Sequence, residues 1–225
     1  MSKDLMSTLA KNPIFSELTD QPLSLINNSA IYRKHKAGSF ITQNGEIWPY
    51  FLIVKSGRLD VIKESFSGRQ LVGLTLGEAD VFWGMAFFND EMPTPGALFA
   101  HSDSEVYLWS RSSLFPYLMN YPQILWKLCQ QTVIRMEQAS RIVESLAFHP
   151  MAKRLASFLL DLFSEKGGNS LKRELTLDDI AARVGSTREE VCRALYQLSD
   201  KRLIEITRTE FSLVNKTGLL EMLEK

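Results

Sequence analysis

The chain has 225 residues, 45% of them apolar, and its 26 Lys plus Arg balance 26 Asp plus Glu. That balance gives no global electrostatic case for nucleic acid, and no apolar run approaches the ~20 residues needed to cross a bilayer. The only cysteines, Cys129 and Cys192, are too few for a disulfide framework or a four-thiolate iron-sulfur cluster, and the opening Met1-Ser2-Lys3-Asp4 lacks a signal-peptide core. The expectation is a cytoplasmic chain with no membrane partner.

Residues 13–30 read as short helical pieces, with Pro13 and Pro22 suited to first-turn positions. From Tyr32 to Trp109, runs rich in β-branched and aromatic residues (39–43, 50–54, 58–63, 70–76, 96–100, 105–109) are punctuated by glycines at 38, 45, 57, 68, 77, 84 and 96. Such spacing predicts a β sandwich or barrel built of hairpins. The segment 121–148 has no Gly and only Pro122, at its start. Within it Leu125, Cys129, Thr132, Met136, Ala139, Val143 and Leu146 recur at alternating steps of four and three, a heptad seam for a two-fold helix pair. A single amphipathic helix lying on its own barrel is the competing reading. His149-Pro150 interrupts the pattern, since proline removes a donor and disfavours helix in the residue before it, and a hinge fits there. A further helix runs over 151–165.

The most informative stretch is 175–214. Thr176 can cap a helix over 177–184, Gly185 suits a tight turn, and Ser186 or Thr187 can cap a second helix over 188–199, with Glu189 or Glu190 completing a capping box. That second helix buries Val191, Leu195 and Leu198 and leaves Arg188, Glu189, Arg193 and Gln197 exposed. Two alternating strands follow at 203–206 and 211–214, with the turn 207–210 between them. Helix, turn, helix and β-wing in this order predict a DNA-binding unit. A major groove admits one helix, Arg pairs bidentately with guanine, Glu accepts from cytosine, and Ser186 and Thr187 suit phosphate oxygens.

The stretch from Leu175 to Leu195 (LTLDDIAARVGSTREEVCRAL) resembles the recognition unit of the Crp/Fnr superfamily of bacterial regulators. The match extends to NPIFSELT at 12–19, KAGSFITQNGE at 36–46 and YFLIVKSGRLDV at 50–61. The resemblance implies an α+β protein: a jelly-roll, cyclic-nucleotide-binding-like sensor domain (1–120), a dimerisation helix (121–148) and a winged helix-turn-helix (149–225). It implies a homodimer on a palindromic operator in duplex DNA, RNA polymerase as a further partner, and base contacts by Arg188, Glu189 and Arg193.

Cyclic-nucleotide-binding relatives hold the ribose with a glutamate and the phosphate with an arginine. Here Met85 stands at the first position and Thr94 at the second, so cyclic AMP is not expected, since a buried phosphate needs a cation. Phe82, Trp83, Met85, Phe87, Thr94 and Trp126 are the candidate effector pocket. Haem stays open, with His35, His101 and His149 as candidate ligands, beside a small apolar effector and a constitutive regulator with an empty barrel. A cupin-like metal enzyme would need converging histidines, and no His-x-His occurs, so neither a metal nor a catalytic residue is assigned.

Overall fold

The computed structural model describes residues 3–224 and divides into two compact units, one holding the chain up to Lys63 with Gly73–Ala139, the other Glu64–Val72 with Ser140 onward. The first unit opens with helices α1 (Lys3–Lys11) and α2 (Asp20–Asn28). The strands β1 (Ile31–His35), β2 (Phe40–Thr42), β3 (Tyr50–Ser56), β4 (Leu59–Glu64), β5 (Gln70–Leu76), β6 (Val81–Trp83), β7 (Ala97–Ala100) and β8 (Ser104–Ser110) follow. They form two sheets, ordered β1-β8-β3-β6 and β2-β7-β4-β5, with antiparallel neighbours such as Leu52 opposite Leu108 and Val61 opposite Leu98. This is the expected jelly-roll architecture.

Strand alternation decides where the cores lie. Along β3, Leu52 and Val54 point between the sheets, where they meet Leu59, Leu76, Leu98, Val106 and Leu108. Phe51 and Ile53 point to the other side and pack with Leu5, Leu9, Phe15, Ile26 and Trp109. Both faces of β3 are therefore buried, which explains its continuous apolar run. The Trp109 indole N–H, buried with its ring, donates to the Ile26 carbonyl at 2.8 Å and ties α2 to the sheet. Helix α3 (Arg111–Asn120) closes this core with Leu114 and Leu118, and helix α4 (Pro122–Phe148) starts beside it with Ile124 and Leu128. Each such fully buried side chain contributes about 1.5–3 kcal/mol relative to exposure.

In the second unit, helix α5 (Met151–Lys166) follows His149-Pro150, with Pro150 at its N-cap. Strand β9 (Ser170–Lys172), helices α6 (Leu177–Val184) and α7 (Arg188–Asp200), strands β10 (Ile204–Ile206) and β11 (Glu210–Leu213) and helix α8 (Lys216–Glu224) complete it. The wing is three-stranded, β10-β11-β9, because Phe211 of β11 pairs with Leu171 as well as with Ile206. Its core joins Leu155, Leu159 and Phe163 of α5 to Ile180, Val191, Leu195, Leu198, Phe211 and Leu219. Helices α1, α3 and α8 and strands β1, β6 and β9 are elements the sequence patterns did not single out. Among the described residues no helix is long and apolar enough to cross a membrane.

Candidate nucleic-acid interface and sensor barrel

The recognition unit is built from two capped helices and a three-residue turn. The Thr176 hydroxyl accepts from the Asp179 amide at 3.1 Å while the Asp179 carboxylate accepts from the Thr176 amide at 2.8 Å, a complete capping box for α6. Gly185 ends α6 at φ 64°, a left-handed conformation in which a side chain is strained. Of the two candidate caps for α7, the structure uses Thr187, whose hydroxyl accepts from the Glu190 amide at 3.3 Å. Ser186 instead donates its hydroxyl to the Glu190 carboxylate. That bond, the Thr187 amide and the nearby Arg193 and Arg154 charges hold the Glu190 carboxyl below the usual carboxylate range.

Val191, Ala194, Leu195 and Leu198 bury one face of α7, and Arg188, Glu189, Arg193 and Gln197 are exposed on the other. Two features escaped the sequence reading. Tyr196 is 63% exposed beside Gln197, and a polar-tipped aromatic on the exposed stripe was the available signal. Arg188 sits 3.4 Å from Asp178 of α6, an exposed ion pair between the two helices. In the wing, the Arg173 guanidinium lies over the Phe211 ring at 4.9 Å and donates to the Thr207 carbonyl at 3.0 Å, bracing the turn that carries Arg208.

Helix α4 presents an exposed apolar stripe: Trp126 (65%), Val133 (59%), Met136 (68%) and Val143 (66%), with Cys129 also exposed. Thr132, Ala139 and Leu146 are exposed as well, whereas Leu125 packs against the barrel's own core and Thr132 donates its hydroxyl to the Leu128 carbonyl. On the inner face of α4, Arg135 lays its guanidinium 4.0 Å from the centroid of the Trp83 ring and donates to the Val81 carbonyl. Burial lowers its pKa to about 10, so it remains a cation at neutral pH.

The candidate pocket residues are not brought to one place. Phe82 faces the core between the sheets, while the adjacent Trp83 faces the opposite side and stacks on Phe51 at 6.1 Å. Phe87 is fully buried in that second core, and Trp126 stands out on α4. Met85 is exposed at the start of a single 3-10 turn (Met85–Phe87). Thr94 is buried: its amide donates to the Glu46 carbonyl and its carbonyl accepts from the Gly45 amide, both at 2.8 Å, and its hydroxyl makes no hydrogen bond among the described residues. The segment between β2 and β3 that holds Gly45 and Glu46 also carries Trp48, whose ring lies 5.6 Å from Tyr50 and 5.8 Å from Phe82. Trp48 closes so tightly on Gly84 that an added Cβ there would collide with its carbonyl oxygen.

The histidines stand on three separate elements. His35 ends β1 with Nε2 buried, and burial followed by the neighbouring Arg33 charge lowers its pKa. The Nδ1 atom of His101, just after β7, lies 3.2 Å from the buried Asp60 carboxylate. His149 follows α4. The aromatics are divided between two faces of a sheet, and the three histidines are not gathered at one site with them.

A jelly roll, a long helix and a winged helix-turn-helix whose capped second helix exposes Arg188 and Arg193 define a transcription regulator of the Crp/Fnr type. Residues 32–121 match the cyclic nucleotide-binding domain family and residues 153–222 the Crp-like helix-turn-helix domain family. The chain belongs to the Crp/Fnr superfamily. It is 29% identical over 161 residues to the cAMP-activated global transcriptional regulator CRP of Pasteurella multocida, covering 69% of this chain and 75% of that protein. In fold it is similar to the c-di-GMP responsive global regulator CLP of Xanthomonas campestris (TM-score 0.77, 20% identity, 87% of this chain and 99% of that one). It is also similar to a CooA variant from Carboxydothermus hydrogenoformans (TM-score 0.74, 18% identity, 92% and 98%). The chain is thus a DNA-binding transcription regulator with a sensor domain.

Proposed function

We propose that the protein is a homodimer that reads a palindromic operator with α7, under the control of an effector other than a cyclic nucleotide. Arg188, Glu189 and Arg193 meet base edges, Ser186 and Thr187 meet phosphates, and Gln197 lies at the margin of the contact. The exposed stripe of α4, led by Trp126, Cys129, Val133, Met136 and Val143, pairs with its two-fold mate. RNA polymerase is the downstream partner, and the cytoplasm the compartment, that this reading implies.

The observation that carries the effector reading is the pair Met85 and Thr94. Neither can neutralise a phosphate, and Arg135, the cation beside Trp83, is engaged by the indole ring and the Val81 carbonyl. The Pasteurella relative is named for activation by cyclic AMP, and this chain lacks the means to follow it. A small apolar molecule is the class of effector that the sensor's aromatic and aliphatic side chains favour. A second reading, a constitutive regulator with a ligand-free barrel, is favoured by the seating of Trp48 on Gly84. The test is operator binding by fluorescence anisotropy with and without cyclic AMP, cyclic di-GMP and haem. No change in affinity is expected with any of the three, and a tightening of tenfold or more by a cyclic nucleotide would overturn the reading.

A further inference from the structure

Only Gly185, Ser186 and Thr187 separate α6 from α7, so whatever holds the end of α6 sets the direction in which α7 starts. That end is held from α5. The Nη1 atom of Arg154 donates to the Val184 carbonyl at 2.6 Å and to the Gly185 carbonyl at 3.0 Å. These oxygens are left over at a helix C-terminus and carry its partial negative charge, so a guanidinium there makes two charge-assisted bonds in favourable polarity. The Nε atom of Arg154 is buried and makes no hydrogen bond among the described residues, which places part of the guanidinium away from solvent. On the far side of the turn, Ser186 donates to Glu190 and Thr187 caps α7, so hydrogen bonds hold the chain on both sides of the turn. A third group closes on it: an added Cβ at Gly185 would collide with Leu146, from the last turns of α4.

Leu146 and Arg154 flank His149-Pro150, and both converge on Gly185. We propose that Arg154 is a positioning residue for DNA recognition: without touching DNA, it locks the α6–α7 turn to the start of α5, and with Leu146 it passes the α4–α5 angle to the recognition helix. This rests on the reading of α7 as the DNA-reading helix. Arg154 is absent from the exposed stripe of α7, and its bonds go inward to main-chain oxygens, so its contribution is to the placement of Arg188, Glu189 and Arg193 and not to phosphate neutralisation.

The test compares wild type, Arg154→Ala and Arg154→Lys as full-length chains. Affinities are measured for an operator selected from random duplexes by wild type and for a scrambled duplex, over a range of salt, with thermal unfolding of each variant alongside. Arg154→Ala is expected to lose about tenfold or more on the operator while affinity for the scrambled duplex and the salt slope stay at wild-type values. Arg154→Lys, which keeps the charge but not the two-pronged reach, is expected to fall between. If Arg154→Ala does not fold, the intermediate loss in Arg154→Lys carries the test. Wild-type operator affinity in the folded variants would overturn the proposal. So would a salt slope reduced by about one, the mark of a lost phosphate contact. Equal losses on both duplexes, tracking loss of fold, would overturn it as well. Failure of wild type to select any operator would instead defeat the reading of α7 itself.

Discussion

Replacing Arg193 with Ala separates base reading from every other role that this side chain could have. Arg193 is exposed and lies six residues beyond the Thr187 cap, on the face opposite Val191 and Leu195, so its removal leaves no cavity and strips no buried partner. Its influence on Glu190 is between exposed groups, where solvent screens the attraction. A bidentate contact with guanine is worth about 1–3 kcal/mol of discrimination, so operator affinity should fall roughly 5- to 150-fold while thermal stability barely moves. Fluorescence anisotropy against the operator and each single-base variant measures this directly. The loss should concentrate at one base pair per half-site, where the variant protein becomes indifferent to sequence. A uniform loss across all sequences, with the salt slope lowered by about one, would make Arg193 a phosphate contact and refute the assignment.

Other expectations follow from the same geometry. Met136→Glu places a charge in the middle of the exposed α4 stripe and should yield monomers by analytical ultracentrifugation; an intact dimer would move the interface elsewhere. Thr187→Ala removes the cap of α7 and should destabilise the second unit by about 1 kcal/mol in denaturant unfolding; an unchanged midpoint would mean that water replaces the hydroxyl without loss. Lys55 first, then Tyr32 and Lys34, hold the Glu105 carboxyl down to about 2, below its unfolded value of 4.5. The stabilisation is therefore present above pH ~4.5 and is lost as pH falls toward 2. Thermal unfolding of wild type and Glu105→Gln should converge over that interval, and a gap that stays constant with pH would contradict the pairing.

The recognition unit was legible because its signals are local. Thr176, Gly185 and Thr187 each act within three or four residues, and the helix they bound was placed to within a residue at each end. Six of the eight strands of the sandwich were legible from alternation and glycine spacing; β6, only three residues long, was not. β1 was not, because IYRKH is polar along most of its length and is a strand only by pairing with β8. Helix α3 carries Pro116 in its interior, which reads as a break. The α4 stripe shows a subtler limit. Two neighbouring stripes on one helix share the same spacing of three and four, one through Leu125 and Thr132 and one through Trp126 and Val133. Which of them the barrel covers is a long-range fact, and the core took Leu125. Phe82 and Trp83 looked like one aromatic cluster in sequence, but adjacent residues of a strand point to opposite faces and cannot line one pocket.

Sequence-specific DNA reading by α7 is tested by selection of bound duplexes from a randomised pool by the purified protein, followed by sequencing. Enrichment of a palindrome whose half-sites lie one DNA turn apart, about 10 base pairs centre to centre, is expected, and loss of that enrichment in a variant with Arg188, Glu189 and Arg193 all replaced by Ala. A pool that remains random with wild type, or an enriched site that the triple variant still selects, would contradict it.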